Sequence, residues 1–196
     1  MSTGSSEALE LSGEREVQAV ALLLLLSEGV RGRYSASSLL GLREGVVRGL
    51  YEDLKERGYV EARRGGARIT ELGRRWLAER LRLRGILGAK LLEEVEAWGS
   101  KYAGAAASLE REVRRIVAVR DAAVRGGAAM ALIVKRSAKG FYLPLVEEYD
   151  LEAGAPGVCR ALEGLPEGRS YLVVLGESLY ACVRGLLSAA AAAEGG

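Results

Sequence analysis

The sequence predicts an α+β protein in two parts, a mostly helical N-terminal part and a C-terminal part in which strands and helices alternate. Three observations carry this reading. Apolar residues recur at helical spacing through the first 57 or so positions. A short alternating stretch over residues 59–63 then turns on Gly65-Gly66 and returns through Ala67, Arg68 and Ile69. Beyond residue 100, uninterrupted apolar runs at 130–134 and 171–175 read as buried strands between amphipathic segments.

Taken in order, residues 1–13 begin Ser- and Gly-rich and read as a disordered tail. Residues 14–28 form a strongly apolar helix stopped by Gly29. Ser35 is placed to cap a short second helix that carries Leu39 and Leu40 and ends near Gly41. A third helix runs over about 43–57. In it Val47, Leu50, Tyr51 and Leu54 keep the i, i+3, i+4, i+7 spacing of one buried stripe, and Gly58 ends it. Gly65-Gly66 makes a tight hairpin turn. Thr70 caps a fourth helix from Glu71 to about Leu83. Helix, helix, helix, hairpin, helix, with an amphipathic third helix, is the order of a winged helix-turn-helix, here bounded by residues 14 and 85.

Residues 86–99 read as a linker helix with Leu91, Leu92 and Val95 on one face. Residues 101–107 read as a strand of small residues and 109–125 as a charged amphipathic helix ended by Gly126-Gly127. A hairpin follows, 130–134 with 141–146, then a short helix at 157–163, a buried strand at 171–175 and an Ala-rich helix at 179–193. The order β-α-β-β-α-β-α fits a ferredoxin-like split βαβ arrangement in a C-terminal α/β domain over 100–196. That domain is expected to serve dimerisation or effector sensing. Two surfaces are offered for a homodimer. One is the sheet face or edge between 130 and 146. The other is the last helix, where Leu179, Val183, Leu186 and Leu187 precede an alanine run.

Composition narrows the function classes. Hydrophobic residues are 49% and charged residues 28% of the 196, as in folded proteins. No apolar run approaches the roughly 20 residues of a membrane span, and the acidic start lacks a basic leader, so a cytoplasmic protein with no membrane partner is expected. There is no histidine and no C-x-x-C, which removes imidazole chemistry and ordinary zinc sites. Cys159 and Cys182 read as two buried thiols, with a disulfide as the alternative. No P-loop or G-x-G-x-x-G occurs, so no cofactor and no enzyme activity are expected. The absence of Asn and the single Gln18 beside abundant Arg and Glu suit a thermophile, or a high-GC genome.

Charge is uneven. Residues 1–30 carry a net −4, residues 31–85 a net +7 and residues 86–196 a net −1. A basic segment between neutral or acidic ones is the footprint of a phosphate-binding surface, although solvated arginine faces look the same. The third helix is expected in the major groove of double-stranded DNA, with Arg43, Val46 and Arg48 near its entering end. Arg48 suits a bidentate contact to guanine and Val46 a thymine methyl, while Glu44 serves the helix dipole. Arg63, Arg64 and Arg68 on the hairpin, with Arg31 and Arg33 before the second helix, are phosphate candidates. A small-molecule effector would use Arg120, Asp121 and Arg125 with Gly176 and Ser178. The bland readings are an exposed ion-pair face and an ordinary helix cap. Glu147, Glu148 and Asp150 read as a solvated acidic loop rather than a Mg²⁺ site.

Gly32-Arg33-Tyr34-Ser35, Leu39-Leu40-Gly41-Leu42, Glu44-Gly45-Val46-Val47-Arg48 and Thr70-Glu71-Leu72-Gly73 resemble winged-helix regulators of archaea. The run Arg120-Asp121-Ala122-Ala123-Val124-Arg125-Gly126-Gly127-Ala128 resembles the second-domain motif of an uncharacterised archaeal family with that front end. The position before the third helix often filled by Ser or Thr is Arg43 here. The resemblance implies a DNA-binding transcriptional regulator. The alternative is a winged helix that docks on another protein in a transcription or assembly complex.

Overall fold

The structure is a computed structural model that describes residues 11–195. Of the tail expected over 1–13, residues 1–10 lie outside the described residues. Leu11 is already buried, and helix α1 (Gly13–Ser27) starts two residues later. Helices α2 (Arg33–Leu40) and α3 (Glu44–Glu56) follow, then a hairpin of β1 (Val60–Arg63) and β2 (Gly66–Ile69), then α4 (Glu71–Arg82). Gly41 ends α2 in the left-handed conformation, and Thr70 Oγ1 caps α4 by accepting from Gly73 N at 3.1 Å. Ser35 does not cap α2. The cap is Gly32, and Ser35 sits inside the first turn.

The hairpin is pinned to the helices by one short bridge. Arg31 N donates to Ala67 O at 3.2 Å and Ala67 N returns a bond to Arg31 O at 3.0 Å, so Arg31 acts as a one-residue third strand. Gly66, at φ +156°, lies so close that a Cβ there would come 2.1 Å from Arg31 O. Only glycine fits that approach.

The C-terminal part is a five-stranded antiparallel sheet in the order β3-β4-β7-β5-β6. Its strands are β3 (Ile86–Ala97), β4 (Ser100–Leu109), β5 (Met130–Ser137), β6 (Gly140–Tyr142) and β7 (Ser170–Gly176). Helix α5 (Ile116–Arg125) joins β4 to β5, α6 (Leu151–Gly154) and α7 (Pro156–Glu163) precede β7, and α8 (Leu179–Glu194) closes the chain. Both β4 and β5 run antiparallel to β7, which lies between them. β4-α5-β5 is therefore a split βαβ unit, and the α+β class holds. The outer neighbour of β4 is β3, which comes before the unit in the chain.

Three expected elements are corrected. Residues 86–99 are not a linker helix, because β3 is the longest strand of the sheet and pairs with β4 along its length. The amphipathic helix starts at Ile116, not 109. β4 runs to Leu109, held by its pairing with Ser170. The hairpin partner of β5 stops at Tyr142, because Pro144 has no N–H to continue the ladder and residues 143–149 turn back on themselves.

Both faces of the sheet are covered. Ala105 and Ala107 of β4, Ala131 and Ile133 of β5 and Leu172 and Val174 of β7 face α5, α8 and the N-terminal helices. Ala106, Val134, Tyr171, Val173 and Leu175 face α6 and α7. Helices α5 and α8 approach closely through glycines: a Cβ on Gly126 would lie 2.8 Å from Gly185 Cα. The apolar stripe of α8, Leu179, Val183, Leu186 and Leu187, is buried in this chain's own core. Helix α8 therefore covers its own sheet and offers no apolar stripe to a second copy.

Helix α1 ties the two parts together. Residues 19–26 are eight consecutive buried side chains, which a helix lying on a surface could not be. α2, α3, α4 and β2 cover one side of it, and α8 and β3 cover the other. One continuous core thus runs from the N-terminal helices into the sheet. Polar contacts across the same seam join Arg31 to Glu93 at 2.9 Å and Tyr180 to Glu14.

Candidate nucleic-acid interface

In the hairpin, β2 alternates between buried and exposed residues, whereas β1 grows more exposed toward the turn. Val60, Ala67 and Ile69 are its buried residues, Ala62 opposite Ala67 is exposed, Arg63 and Arg68 are exposed as well, and half-buried Glu61 lies directly across from Arg68. Arg63 Nη2 pairs with Glu61 at 2.5 Å, and Arg64 stands exposed at the tip. Between this hairpin, the start of α2 and the outer face of α3 lies an open cleft of about 490 Å³. Arg33 and Arg48 stand on its rim and Tyr51, Val60 and Ala67 on its floor.

Arg33 is the first residue of α2 and Arg43 the residue before α3, and both are exposed. Arg43 makes no capping bond, as an arginine in that place implies. Two expected contacts are restricted. Val46 is half-buried and packs in part against the core, which leaves only part of it at the surface. Arg31 keeps its backbone in the hairpin bridge and its guanidinium on Glu93 of β3, facing the sheet rather than the cleft.

The cleft also contains residues that the sequence reading passed over. Glu52 and Lys55 line it together with Arg48, from which they lie four and seven positions along α3. That spacing alone puts all three on one helical face, so the signal was present. Tyr51 is pinned beneath them, its hydroxyl donating to Arg31 O at 2.9 Å. Burial pushes its phenol up to about 12, against the opposing pull of the Arg31 charge. Helix α3 itself is net acidic, with Glu44, Glu52, Asp53 and Glu56 against Arg48 and Lys55. Asp53 is held by Arg15, whose Nε donates to it at 2.9 Å, while Glu52 and Glu56 are exposed. Exposed charge at the N-terminal end, from Arg43, Glu44 and Arg48, is thus net positive, whereas over the later turns Glu52 and Glu56 outweigh Lys55.

The five residues offered as an effector site do not form one. Arg120 and Asp121 are exposed on the outer face of α5 and line an open hollow beside β5; Arg125 is exposed at the end of that helix. Gly176 is buried beside Cys182. Ser178 is the cap of α8, its Oγ accepting from Ala181 N at 3.2 Å, and it lies against Gly41 of α2. Asp150 caps α6, and no three metal-ligating side chains gather among the described residues.

Residues 20–95 match a family model described as wHTH-PRTase associated. The N-terminal part is a winged helix-turn-helix. The matched stretch reaches into β3, in keeping with the way β3 packs against α1 and α4. No curated protein matches the chain. A solved structure, hypothetical protein PH0730 from the archaeon Pyrococcus horikoshii OT3, shares the fold with a TM-score of 0.66 over 89% of this chain and 90% of that one. Identity between the two is 20%, so the likeness is one of fold. Among the described residues, no helix is long and apolar enough to cross a membrane.

Proposed function

We propose that this chain is a regulator, not an enzyme, that binds double-stranded DNA through its winged helix. The observation that carries the reading is the cleft with Arg33 and Arg48 on its rim, flanked by exposed Arg43 and by the outward arginines of the wing. Arg63, Arg64 and Arg68 reach the phosphates, Arg33 and Arg43 hold the near backbone, and Arg48 on the first two turns of α3 reads base edges. The exposed acids of the later turns confine the reading to that end of the helix. The test is fluorescence anisotropy of the full chain with mixed-sequence duplex across a salt series. Roughly four to six phosphate contacts give a log–log slope of about −4 to −5. Absence of binding at about 50 mM salt, or a flat response, removes the proposal.

The acidic half of α3 favours a second reading, in which the winged helix docks on a protein. The matched family's name associates its winged helix with a PRTase, which makes such an enzyme the partner to try. Retention of that enzyme, with no salt-dependent duplex binding, would select this alternative.

A further inference from the structure

The outer edge of β5 is open for most of its length. β6 pairs only with residues 135–137 of it, so Met130, Ala131, Leu132, Ile133 and Val134 have a strand, β7, on one side only. Nothing in that stretch guards the edge with charge, and among the described residues its backbone pairs with no strand but β7; Ala131, Ile133 and Val134 are themselves buried, and residues 143–146 line the hollow beside them. The surroundings are apolar as well as unpaired. Val117 is 64% exposed and Val124 51% on α5, with Leu145 at 63% and Val146 at 54% on the loop that leaves β6. Two hollows of about 310 and 150 Å³ flank the strand, and both are lined by Arg120, Ala131 and Leu132.

The outer face of α5 identifies the occupant. Val117, Arg120, Asp121 and Val124 fall at i, i+3, i+4 and i+7 and are all exposed. This stripe reads apolar, positive, negative, apolar. A second α5 laid antiparallel beside it puts Val124 against Val117 and Asp121 against Arg120, and the mirror pairs follow by symmetry. Neither Arg120 nor Asp121 has an ion-pair partner among the described residues. A two-fold axis that reverses the helix also reverses β5, and an antiparallel partner is what its free edge accepts.

We propose that two copies of this chain associate across this edge, with β5 pairing antiparallel to β5 over residues 130–134 and α5 to α5, which joins the two sheets into one while β6 of each copy keeps its place on residues 135–137. The surface is self-complementary in charge, which fits a second copy better than an unrelated strand. The proposal does not depend on the DNA reading, because its test contains no DNA.

Sedimentation velocity of the full chain should give a species of twice 20.9 kDa at micromolar concentration. Asp121→Arg or Arg120→Asp, each at an exposed position, should weaken association roughly tenfold or more by setting like charges together. The double variant, Arg120→Asp with Asp121→Arg, should recover it, and circular dichroism checks that each variant is folded. Amides of residues 130–134 should exchange more slowly as protein concentration rises. A monomer at about 100 μM, a dimer indifferent to the charge reversals, or edge amides indifferent to concentration each overturns the proposal, the first even if the edge takes a strand from another protein.

Discussion

The winged helix and the β5 edge are two surfaces of this molecule built on opposite principles. Around the wing, exposed arginines stand on local elements whose strands are paired with each other and whose hairpin is locked by Arg31 to Ala67. At β5 the backbone is open and the side chains are nearly free of charge. A surface with paired strands and exposed cations suits a polyanion, where affinity comes from many interchangeable phosphate contacts. A surface with an unpaired strand edge and apolar flanks suits one partner in one register. The two lie at opposite sides of the sheet, since the winged helix packs on β3 and the open edge belongs to β5. What separates them is a shared core, not a linker.

The largest effect should come from cutting that core. A fragment ending at Gly85 keeps every element of the winged helix but strips α8 and β3 from α1. Several buried leucines of α1 would then face water, each at a cost of roughly 1.5–3 kcal/mol, against a total stability of about 5–15 kcal/mol for a domain. The fragment is expected to lack a cooperative thermal transition by circular dichroism. A sharp transition near that of the full chain would show that the halves are independent domains, and the comparison of two surfaces on one body would fall.

Next in size is the division of labour within the winged helix. Arg63→Ala with Arg64→Ala should weaken duplex binding about equally on all sequences and flatten the salt slope by about two. Arg48→Ala should relax selectivity at one base pair, by roughly 1–3 kcal/mol, with a smaller change in slope. Binding titrations on matched and single-substituted duplexes distinguish the two. Equal losses on every sequence for both variants would make α3 a further backbone clamp.

How much of this was legible in the sequence follows from where each element draws its stability. Val47, Leu50 and Leu54, Gly41, Gly58 and Thr70 are local signals, and each stands where its spacing put it. β3 was misread for a physical reason. Its pairing with β4 shifts register between Ile86 and Gly88 and again between Leu92 and Val95. Such bulges break the two-residue alternation. They leave Leu91 and Val95 buried four residues apart, which imitates a helix. Leu109 and Val113 imitate one in the same way. The first ends β4, and the second is held by its N–H on Ser170 Oγ at 3.0 Å, a contact 57 residues distant. At the interface, Arg48 was readable because helical spacing exposes it, whereas the capture of Arg31 by Glu93 depends on β3 docking. The self-complementary stripe on α5 lay in the sequence as Val117, Arg120, Asp121 and Val124, but only the unpaired strand beside it gives the stripe a meaning.

The smallest effect concerns pH, and it tests the core and neither surface. Cys182, on α8, donates its thiol to Ala103 O at 3.4 Å, and Cys159 is buried under the opposite face of the sheet. Burial pushes both thiols up to about 12, helped at Cys159 by the nearby Glu152 carboxylate. Below the ordinary thiol value of 9.0 both folded and unfolded chains hold these protons, so stability is insensitive to them. Between 9 and about 12 the unfolded chain releases protons that the folded chain keeps, and stability falls as pH rises. Tyr51 adds a decline of the same sign from 10.0 upward. Denaturant midpoints should therefore be level from about pH 7 to 8.5 and then drop. Cys159→Ala and Cys182→Ala should each remove part of the drop that begins near 9, leaving the later part due to Tyr51 and to Tyr180, whose phenol is also pushed up by burial and by Glu14. The thiols of the folded chain should also resist iodoacetamide at about pH 8. Rapid alkylation of Cys182 alone would mean that the seam between α8 and β4 opens in the native state. That seam lies in the core shared with α1, so the winged helix and the β5 edge would then no longer be held rigidly apart.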